Sequence, residues 1–284
     1  MRLLCFKAAG ETHLGLLRSG QVSDVTALAP ALHDVGDWLA ASESDRSDLV
    51  RRLADAPVLA LDALELAMPL ARPGKVVCLG LNYRDHAAEG GHAAPEYPAF
   101  FLRATSSLLA PNQPLLRPAC SDKLDFEAEL AVVIGRPARH RTLADALDCV
   151  GGYSLFNDGS LRDYQRRSSQ WTIGKNFDAT GPFGPWLVTP DELPAGAIGL
   201  RIQSRLNGQV MQDANTASMI VSVAQAIVLL SECMTLDIGD VIAMGTPAGV
   251  GYARKPPVFM RDGDTIEIEV EGIGVLSNPI KDAA

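Results

Sequence analysis

The chain has 284 residues, of which 47% are hydrophobic and 21% charged, a composition typical of an ordinary globular protein rather than a disordered one. Its formal net charge of −9 disfavours nucleic acid and anionic membrane as partners, because both attract basic surfaces. Five scattered cysteines without a C-x-x-C spacing argue against a disulfide framework or a zinc site. No signal peptide is evident, so we predict a cytoplasmic location.

The first 70 residues predict a small α+β domain. Strands are expected at 3–6, 14–17 and 22–25, with a turn before the last of them. Helical patterns follow at 32–39, 45–54 and 61–66, and Ser44 or Ser42 is a candidate N-cap for the second helix. A connector at 68–74, rich in proline and glycine, predicts a boundary that divides the chain into domains 1–70 and 71–284.

Beyond residue 75 the pattern changes to short apolar strands broken by glycine and proline. The predicted strands are 76–79, 130–134, 151–157, 184–188, 200–206, 241–244 and 265–270. Helices are expected only at 144–148, 161–167 and 217–234, and the last is predicted to be a buried core helix because its apolar positions follow helical spacing. The fold class is therefore β-rich α+β rather than a regular βαβ array.

Two glutamates, Glu127 and Glu129, are separated by one residue in an otherwise apolar run. A strand alternates its faces, so both carboxylates are expected on one side and Phe126, Ala128 and Leu130 on the other. Two close, partly buried carboxylates repel each other unless a cation lies between them. The pattern favours a hard divalent metal, and a solvated glutamate face on an edge strand is the alternative.

A third carboxylate, Asp158, follows another apolar strand and is positioned to complete the site. The alternative role for this aspartate is an N-cap for the helix through Arg162 and Gln165. Three oxygen ligands without cysteine or clustered histidine favour Mg²⁺ or Mn²⁺ over zinc, and they leave coordination positions open for water and substrate.

His86 and Glu89 are three residues apart and would be neighbours on one helical turn. A glutamate in this position can orient the imidazole and raise its basicity, as a general base requires. An exposed helical ion pair is the other interpretation of the same spacing.

The chain resembles the fumarylacetoacetate hydrolase family. The resemblance runs from about residue 75 to 279 and rests on motifs that occur in the family's order: Gly80-Leu81-Asn82-Tyr83 with Asp85-His86, Glu127-x-Glu129, Asn157-Asp158 followed by Arg162-Asp163, Gly174-Lys175, Gly245-Thr246-Pro247 and Gly249-Val250-Gly251.

The resemblance implies a rolled, mixed β-sheet catalytic domain, a homodimer, and specific roles for the site residues. It implies that Glu127, Glu129 and Asp158 bind Mg²⁺ or Mn²⁺, that His86 with Glu89 activates water, that Lys175 is an electrostatic stabiliser in the pocket, and that Arg162, Gln165 and Thr246 approach the metal or the substrate. The chain departs from the family at Arg103, where relatives often carry lysine, and at Gly159, where valine is usual. The glycine is expected to loosen the loop beside the metal.

A 2-oxo acid offers a carboxylate and an adjacent carbonyl oxygen, which together suit the open face of such a metal site. If the acid also has a 4-oxo group, hydroxide generated by His86 can add at C4 and expel a pyruvate-type enolate, while Lys175 stabilises the alkoxide formed at C4. We therefore predict a metal-dependent hydrolase of carbon–carbon bonds in a 2,4-dioxo acid or acylpyruvate. A decarboxylase or keto–enol isomerase on the same metal site is the second hypothesis, and a non-catalytic metabolite-binding protein is the third. The substrate is expected to be selected partly by the loop 90–97.

Overall fold

The computed structural model of the chain describes residues 1–89 and 97–283. Its N-terminal part contains five strands and three helices: β1 (Arg2–Ala8), β2 (Glu11–Arg18), β3 (Gln21–Asp24), α1 (Val25–Leu28), α2 (Val35–Ala40), α3 (Glu43–Arg52), β4 (Val58–Ala60) and β5 (Leu66–Ala67). The hydroxyl of Ser42 accepts a hydrogen bond from the Asp45 N–H at the start of α3. Ser42, and not Ser44, is therefore the N-cap.

The remaining elements are dominated by strands. They are β6 (Val76–Gly80), α4 (Arg84–Glu89), β7 (Ala99–Leu102), β8 (Leu108–Leu109), β9 (Leu115–Arg117), β10 (Leu124–Asp125), β11 (Ala128–Ile134), β12 (Val150–Asn157), β13 (Ser160–Leu161), α5 (Arg162–Gln165), α6 (Thr172–Lys175), β14 (Gly181–Val188), β15 (Arg201–Leu206), β16 (Gln209–Asn215), α7 (Val223–Cys233), β17 (Val241–Ala243), β18 (Thr265–Val270) and β19 (Gly274–Asp282). Within the described ranges, every helix is too short or too polar to cross a membrane.

A large mixed sheet has the strand order β4-β3-β2-β1-β14-β12-β11-β17-β6-β7, with β5 paired to β1 and β8 paired to β14. Most neighbours are antiparallel, whereas β17 and β6 are parallel. A second sheet has the order β16-β15-β18-β19-β9, and β10 pairs with β13 alone. The predicted β-rich α+β class with mixed sheets is confirmed.

The central strand β11 is buried on both faces, which explains its uninterrupted apolar sequence. Leu130 and Val132 belong to a core that includes Ile268 of the second sheet. Ala131 and Val133 project to the other face, into a core that also contains Trp38 of α2. Because β11 is covered on both sides, its first residues are fixed relative to the whole fold.

Three predicted helices differ from the structure. Residues 61–66 form a short 3₁₀ turn followed by β5, because Leu66 and Ala67 pair with β1. The helix predicted at 217–234 begins only at Val223, where Ser222 and Gln225 form a capping box. The helix predicted at 144–148 is instead a 3₁₀ segment at Ala146–Cys149.

The sequence predicts a domain boundary near residue 70, and the large sheet crosses that point. In the structure β1 pairs with β14, with Arg2 opposite Val188 and Leu3 opposite Leu187. The division into 1–70 and 71–284 stays a prediction, and any such N-terminal unit would share one sheet with the rest of the chain.

Candidate active site

The three predicted carboxylates meet where β11 begins and β12 ends. These strands are antiparallel with Ala128 opposite Asn157, so the residue before β11 lies beside the residue after β12. One carboxylate oxygen from each of Glu127, Glu129 and Asp158 lies within 4.8 Å of the other two. The strand register therefore builds a cluster of three acids from residues distant in the sequence.

Both alternative interpretations of these acids are wrong. Glu127 and Glu129 are not on a solvated face, since they are only 5% and 1% exposed, and Phe126 lies in the core on the opposite side, as the alternation predicts. The N-cap residue of α5 is Leu161, and no side chain forms a capping hydrogen bond at this end of the helix. Asp158 therefore does not cap α5.

Three buried basic side chains surround two of the acids. Lys175 Nζ donates hydrogen bonds to Glu127 Oε2 at 2.7 Å and to Asp158 Oδ2 at 2.5 Å. Arg162 Nη1 lies 2.6 Å from Glu127 Oε1, and Arg103 Nη1 lies 2.5 Å from Asp158 Oδ1. Each oxygen of Glu127 and Asp158 thus has a cationic partner, and short charge-assisted bonds of this kind are strong.

Glu129 is the exception in the cluster. The Gly245 N–H donates to its Oε2 at 2.9 Å, but no basic side chain among the described residues forms an ion pair with it. Burial, together with the charges of Asp158 and Glu127, raises the pKa of Glu129 well above its ordinary value. Burial acts in the same direction on Glu127, but Lys175 and Arg162 outweigh it and lower the pKa of Glu127 to about 2.

The residues fit a hard divalent cation. The donor set consists of carboxylate oxygens, which Mg²⁺ and Mn²⁺ prefer, and Glu129 is a buried acid to which the described residues supply no paired cation. When all are counted as ionised, the four buried carboxylates of the described site, namely the three of the cluster and Asp125, outnumber the buried cations Lys175, Arg162 and Arg103 by one negative charge. A divalent cation would convert this to one positive charge, which complements an anionic substrate.

Asp125 is a site residue that the sequence analysis missed. It is fully buried; its Oδ2 accepts from Arg162 Nε at 2.8 Å and from the Tyr252 N–H at 3.0 Å, and its Oδ1 accepts from the Gly251 N–H at 2.8 Å. It therefore ties the cluster to the loop at 245–252. Asp125 stands two positions before Glu127, and this spacing is the sequence feature that could have identified it as a site residue.

The loop at 245–252 is also held by Gln212 of β16. Its Nε2 donates to Thr246 Oγ1 at 2.7 Å and to the Pro247 carbonyl at 2.8 Å. This glutamine could not be recognised from the sequence, because β16 itself was not predicted.

His86 and Glu89 lie on α4, close together as predicted but without a tight bond. His86 Nδ1 is 3.5 Å from Glu89 Oε2 and has no hydrogen-bond partner within the described ranges. Both oxygens of Glu89 accept from the Gly249 N–H, each at 3.1 Å. His86 is buried, so the exposed helical ion pair of the alternative interpretation is wrong.

A cavity of about 550 Å³ opens onto the cluster. Its lining includes most of the predicted site residues: Glu127, Glu129, Asp158, His86, Lys175, Arg162, Gln165 and Thr246. Glu89 is not part of the lining, and the apolar side chains of the wall are Leu79, Leu81, Phe101 and Trp171. A larger cleft of about 1160 Å³, near α2 and α3, contains none of the predicted site residues. The loop at 90–97 was expected to help select the substrate, and its residues 90–96 lie outside the described part of the chain.

The two departures from the family pattern are adjacent in space. Arg103 Nη1 also donates to the Gly159 carbonyl at 3.1 Å, and Nη2 donates to Thr180 Oγ1 at 2.8 Å. A Cβ at Gly159 would lie 2.1 Å from the Thr180 carbonyl oxygen. Contrary to the sequence expectation, the glycine permits close packing beside Asp158 instead of loosening the loop.

Comparison with known proteins identifies the family of the chain. A family profile described as "Fumarylacetoacetate (FAA) hydrolase C-terminal" matches residues 75–281. The mitochondrial oxaloacetate tautomerase FAHD2A of Bos taurus is 40% identical over 289 residues, covering 99% of this chain and 91% of that protein.

Two solved structures cover the whole of this chain and are themselves covered in full. Fumarylacetoacetate hydrolase from Exiguobacterium antarcticum is 36% identical with a TM-score of 0.87. Maleylpyruvate hydrolase from Sphingobium sp. SYK-6, in complex with manganese(II) and pyruvate, is 28% identical with a TM-score of 0.84. The motifs, the fold and these similarities show that the chain belongs to the fumarylacetoacetate hydrolase family.

Proposed function

We propose that the protein is a divalent-metal-dependent enzyme of enolisable 2-oxo acids and that its reaction is keto–enol tautomerisation. The observation that carries the proposal is that His86 and the Lys175 ammonium line one cavity beside the carboxylate cluster. A tautomerase must take a proton from carbon, stabilise the negative charge that develops on oxygen and return the proton to that oxygen; the imidazole offers a proton acceptor, and the ammonium offers hydrogen bonds and positive charge to the oxygen. The similarity to an oxaloacetate tautomerase over almost the whole chain supports this choice.

Glu127, Glu129 and Asp158 would hold the metal ion. When bound, Mg²⁺ or Mn²⁺ supplies Lewis acidity that stabilises negative charge on a carbonyl oxygen.

Lys175 is suited to donate hydrogen bonds and supply positive charge rather than to exchange a proton. Burial tends to lower the pKa of its ammonium group, but the adjacent charges of Asp158 and Glu127 outweigh burial, and the pKa is raised. The group therefore stays positively charged at neutral pH. It can stabilise charge that develops on a substrate oxygen, an effect that is strongest in a buried site.

His86 is suited to accept the proton from carbon. A neutral imidazole has one ring nitrogen that can accept a proton, and the imidazole lies at the cavity with little solvent exposure. His86 takes a proton from the carbon next to the 2-oxo group and then delivers it to the oxygen, which converts the keto form into the enol and returns the imidazole to its neutral form.

Hydrolysis of a carbon–carbon bond is the second candidate, and it was the leading hypothesis from the sequence. It is favoured by the proximity of His86 and Glu89 and by the similarity to a maleylpyruvate hydrolase. It needs an imidazole that is oriented to activate water, yet the 3.5 Å separation is longer than a normal hydrogen bond. Glu89 is also bonded to the Gly249 N–H, which is why we place hydrolysis second.

The test compares two substrates under the same conditions. Oxaloacetate is supplied as one tautomer with Mg²⁺ or Mn²⁺, and its conversion is followed by enol absorbance, while acetylpyruvate is assayed for release of pyruvate. We expect fast tautomerisation that a chelator abolishes and little pyruvate. Rapid pyruvate release without tautomerisation would reverse the order of the two candidates, and failure of the chelator to inhibit would contradict the metal site.

A further inference from the structure

We propose that Arg166 forms the far end of the substrate site and binds a second carboxylate, so that dicarboxylic 2-oxo acids are preferred. This inference rests on the proposed function, since it assumes that the 2-oxo carboxylate end of the substrate faces the acid cluster.

Arg166 differs from the other basic side chains that line the cavity. Arg162 and Lys175 are buried and bonded to carboxylates of the site. Arg166 is exposed, lines the same cavity, and forms no ion pair with any residue in the described part of the chain. In a protein with a net charge of −9, an arginine that lines an acid-lined cavity and has no carboxylate partner among residues 1–89 and 97–283 offers its N–H donors to an anionic ligand.

The guanidinium of Arg166 is held by the ring of Tyr252. Its central carbon lies 4.6 Å from the ring centroid, and that of Arg162 lies 4.5 Å from the same centroid. Asp125 fixes this wall, because it accepts hydrogen bonds from both the Tyr252 N–H and Arg162 Nε. The position of Arg166 is thus linked through Tyr252 to a fully buried acid of the active site.

The chemistry of this end of the cavity suits a carboxylate. A guanidinium stacked on an aromatic ring keeps the N–H donors at its edge free, and these donors match a carboxylate in a bidentate arrangement. Gln165 and Ser168 add polar groups to the lining of the cavity, whereas Phe101 and Trp171 provide apolar surface. A cavity of about 550 Å³ has room for a 2-oxo acid that carries a second charged group at its other end.

The experiment removes first the charge of the distal carboxylate of the substrate and then the charge of Arg166. The 4-monoethyl ester of oxaloacetate replaces the distal carboxylate by an uncharged and larger ester group. The kcat/KM of the diacid and of the ester for tautomerisation and their binding, measured by calorimetry with Mg²⁺, are compared in the wild type, in Arg166→Gln and in Arg166→Lys. Because tautomerisation does not consume the ligand, binding can be measured at equilibrium.

We expect Arg166→Gln to weaken oxaloacetate binding and to lower its kcat/KM by about 10- to 100-fold, the usual effect of losing a hydrogen bond to a charged group. The monoester should change less than about threefold, and Arg166→Lys should be intermediate because lysine lacks the planar fork. Arg167→Gln is the matched control, since Arg167 stacks on Tyr164 at 3.6 Å instead and does not line the cavity.

Three outcomes would overturn the assignment. The wild type could bind the diacid and the monoester equally, Arg166→Gln could leave their ratio unchanged, or Arg167→Gln could have the same effect as Arg166→Gln, which would indicate a general surface charge effect. If the wild type tautomerises neither compound, the proposed function fails. The calorimetric ratio of the two ligands still decides the role of Arg166 in that case.

Discussion

The carboxylate cluster and the His86–Glu89 pair line or border the same cavity, but they are held in very different ways. The cluster is carried by two paired strands, and Lys175 alone makes two of its ion pairs. The pair is carried by α4, a helix of six residues, and its two members are 3.5 Å apart. The charges of the site are therefore set by strand register, whereas Glu89, the neighbour of the imidazole, is held by the Gly249 N–H of a loop.

This difference indicates a division of roles between the carboxylate cluster and His86. Buried ion pairs fix charge and position, because breaking one leaves an uncompensated buried charge. A histidine whose Nδ1 has no hydrogen-bond partner in the described part of the chain can change its orientation as a proton moves. If the division is correct, changes to the cluster should have large effects on charge balance and metal binding, and changes to Glu89 should have small ones.

The largest effect is expected from Glu129→Gln, which keeps the volume of the side chain and removes its charge. Mn²⁺ binding measured by calorimetry should weaken by more than about 100-fold, since loss of even an outer partner of a metal site often costs 10- to 100-fold. The metal-free protein should melt at a higher temperature than the wild type, because the substitution removes a buried charge next to Asp158 and Glu127.

Glu232→Gln, an exposed position on α7, is the control and should change neither quantity. Retention of Mn²⁺ binding in Glu129→Gln would remove this acid from the site. A lower melting temperature of the metal-free variant would mean that Glu129 is not an uncompensated charge.

The next largest effect is expected from Lys175→Met. The ammonium bonds Glu127 and Asp158 directly, and loss of a preorganised charge stabiliser typically lowers kcat by about 10²- to 10³-fold. Mn²⁺ affinity should not fall, because the variant removes a positive charge from beside the metal ligands. Steady-state kinetics and calorimetry measure the two quantities separately.

Lys75→Met is the matched control for this lysine. Lys75 also bonds two aspartates, Asp237 and Asp240, but it does not line the cavity. This variant should lose stability without a comparable loss of kcat. Equal kcat losses in the two variants would reduce the role of Lys175 to stability.

The carboxylate cluster could be predicted because each of its acids is marked by a pattern within a short stretch of the sequence. Glu127 and Glu129 reveal their shared face by alternation alone, and Asp158 follows an unmistakable apolar strand. Glu89 was placed correctly beside His86 by helical spacing. The family motifs supplied the remainder, including Lys175, whose short helix α6 gives no functional pattern of its own.

The sequence could not predict contacts that arise from strands with mixed composition. β16 has exposed and polar positions, such as Gln209 and Asp213, so neither the strand nor the role of Gln212 was found. The close packing at Gly159 depends on the Thr180 carbonyl, which is 21 positions away and belongs to a different segment. Competition between His86 and Gly249 for Glu89 likewise depends on tertiary structure.

A smaller effect, on stability, is expected from Gly159→Val, which introduces the residue that is usual in the family. Its Cβ would lie 2.1 Å from the Thr180 carbonyl oxygen, so the free energy of unfolding should fall by about 1–3 kcal/mol, as is usual for overpacking. Denaturant titration of the metal-free protein measures the change.

The double variant Arg103→Lys with Gly159→Val tests whether the two departures are linked. Arg103 donates to Thr180 Oγ1 and so helps to hold this residue against Gly159. Lysine at position 103 should let Thr180 move, and the double variant should be less destabilised than the sum of the single variants. Additive losses would show that the two positions are independent.

The smallest effect is expected from Glu89→Gln. In a tautomerase that uses His86 without a fixed partner, loss of the Glu89 charge should lower kcat by less than about tenfold, since a weak hydrogen bond contributes about 1 kcal/mol or less. His86→Ala, the reference, should cost about 10²- to 10⁴-fold because it removes the acid–base group itself. Losses of similar size in the two variants would show that Glu89 and His86 act as one unit. That result would favour a water-activating pair, and with it hydrolysis, over the division between a rigid charge cluster and a freely adjusting histidine.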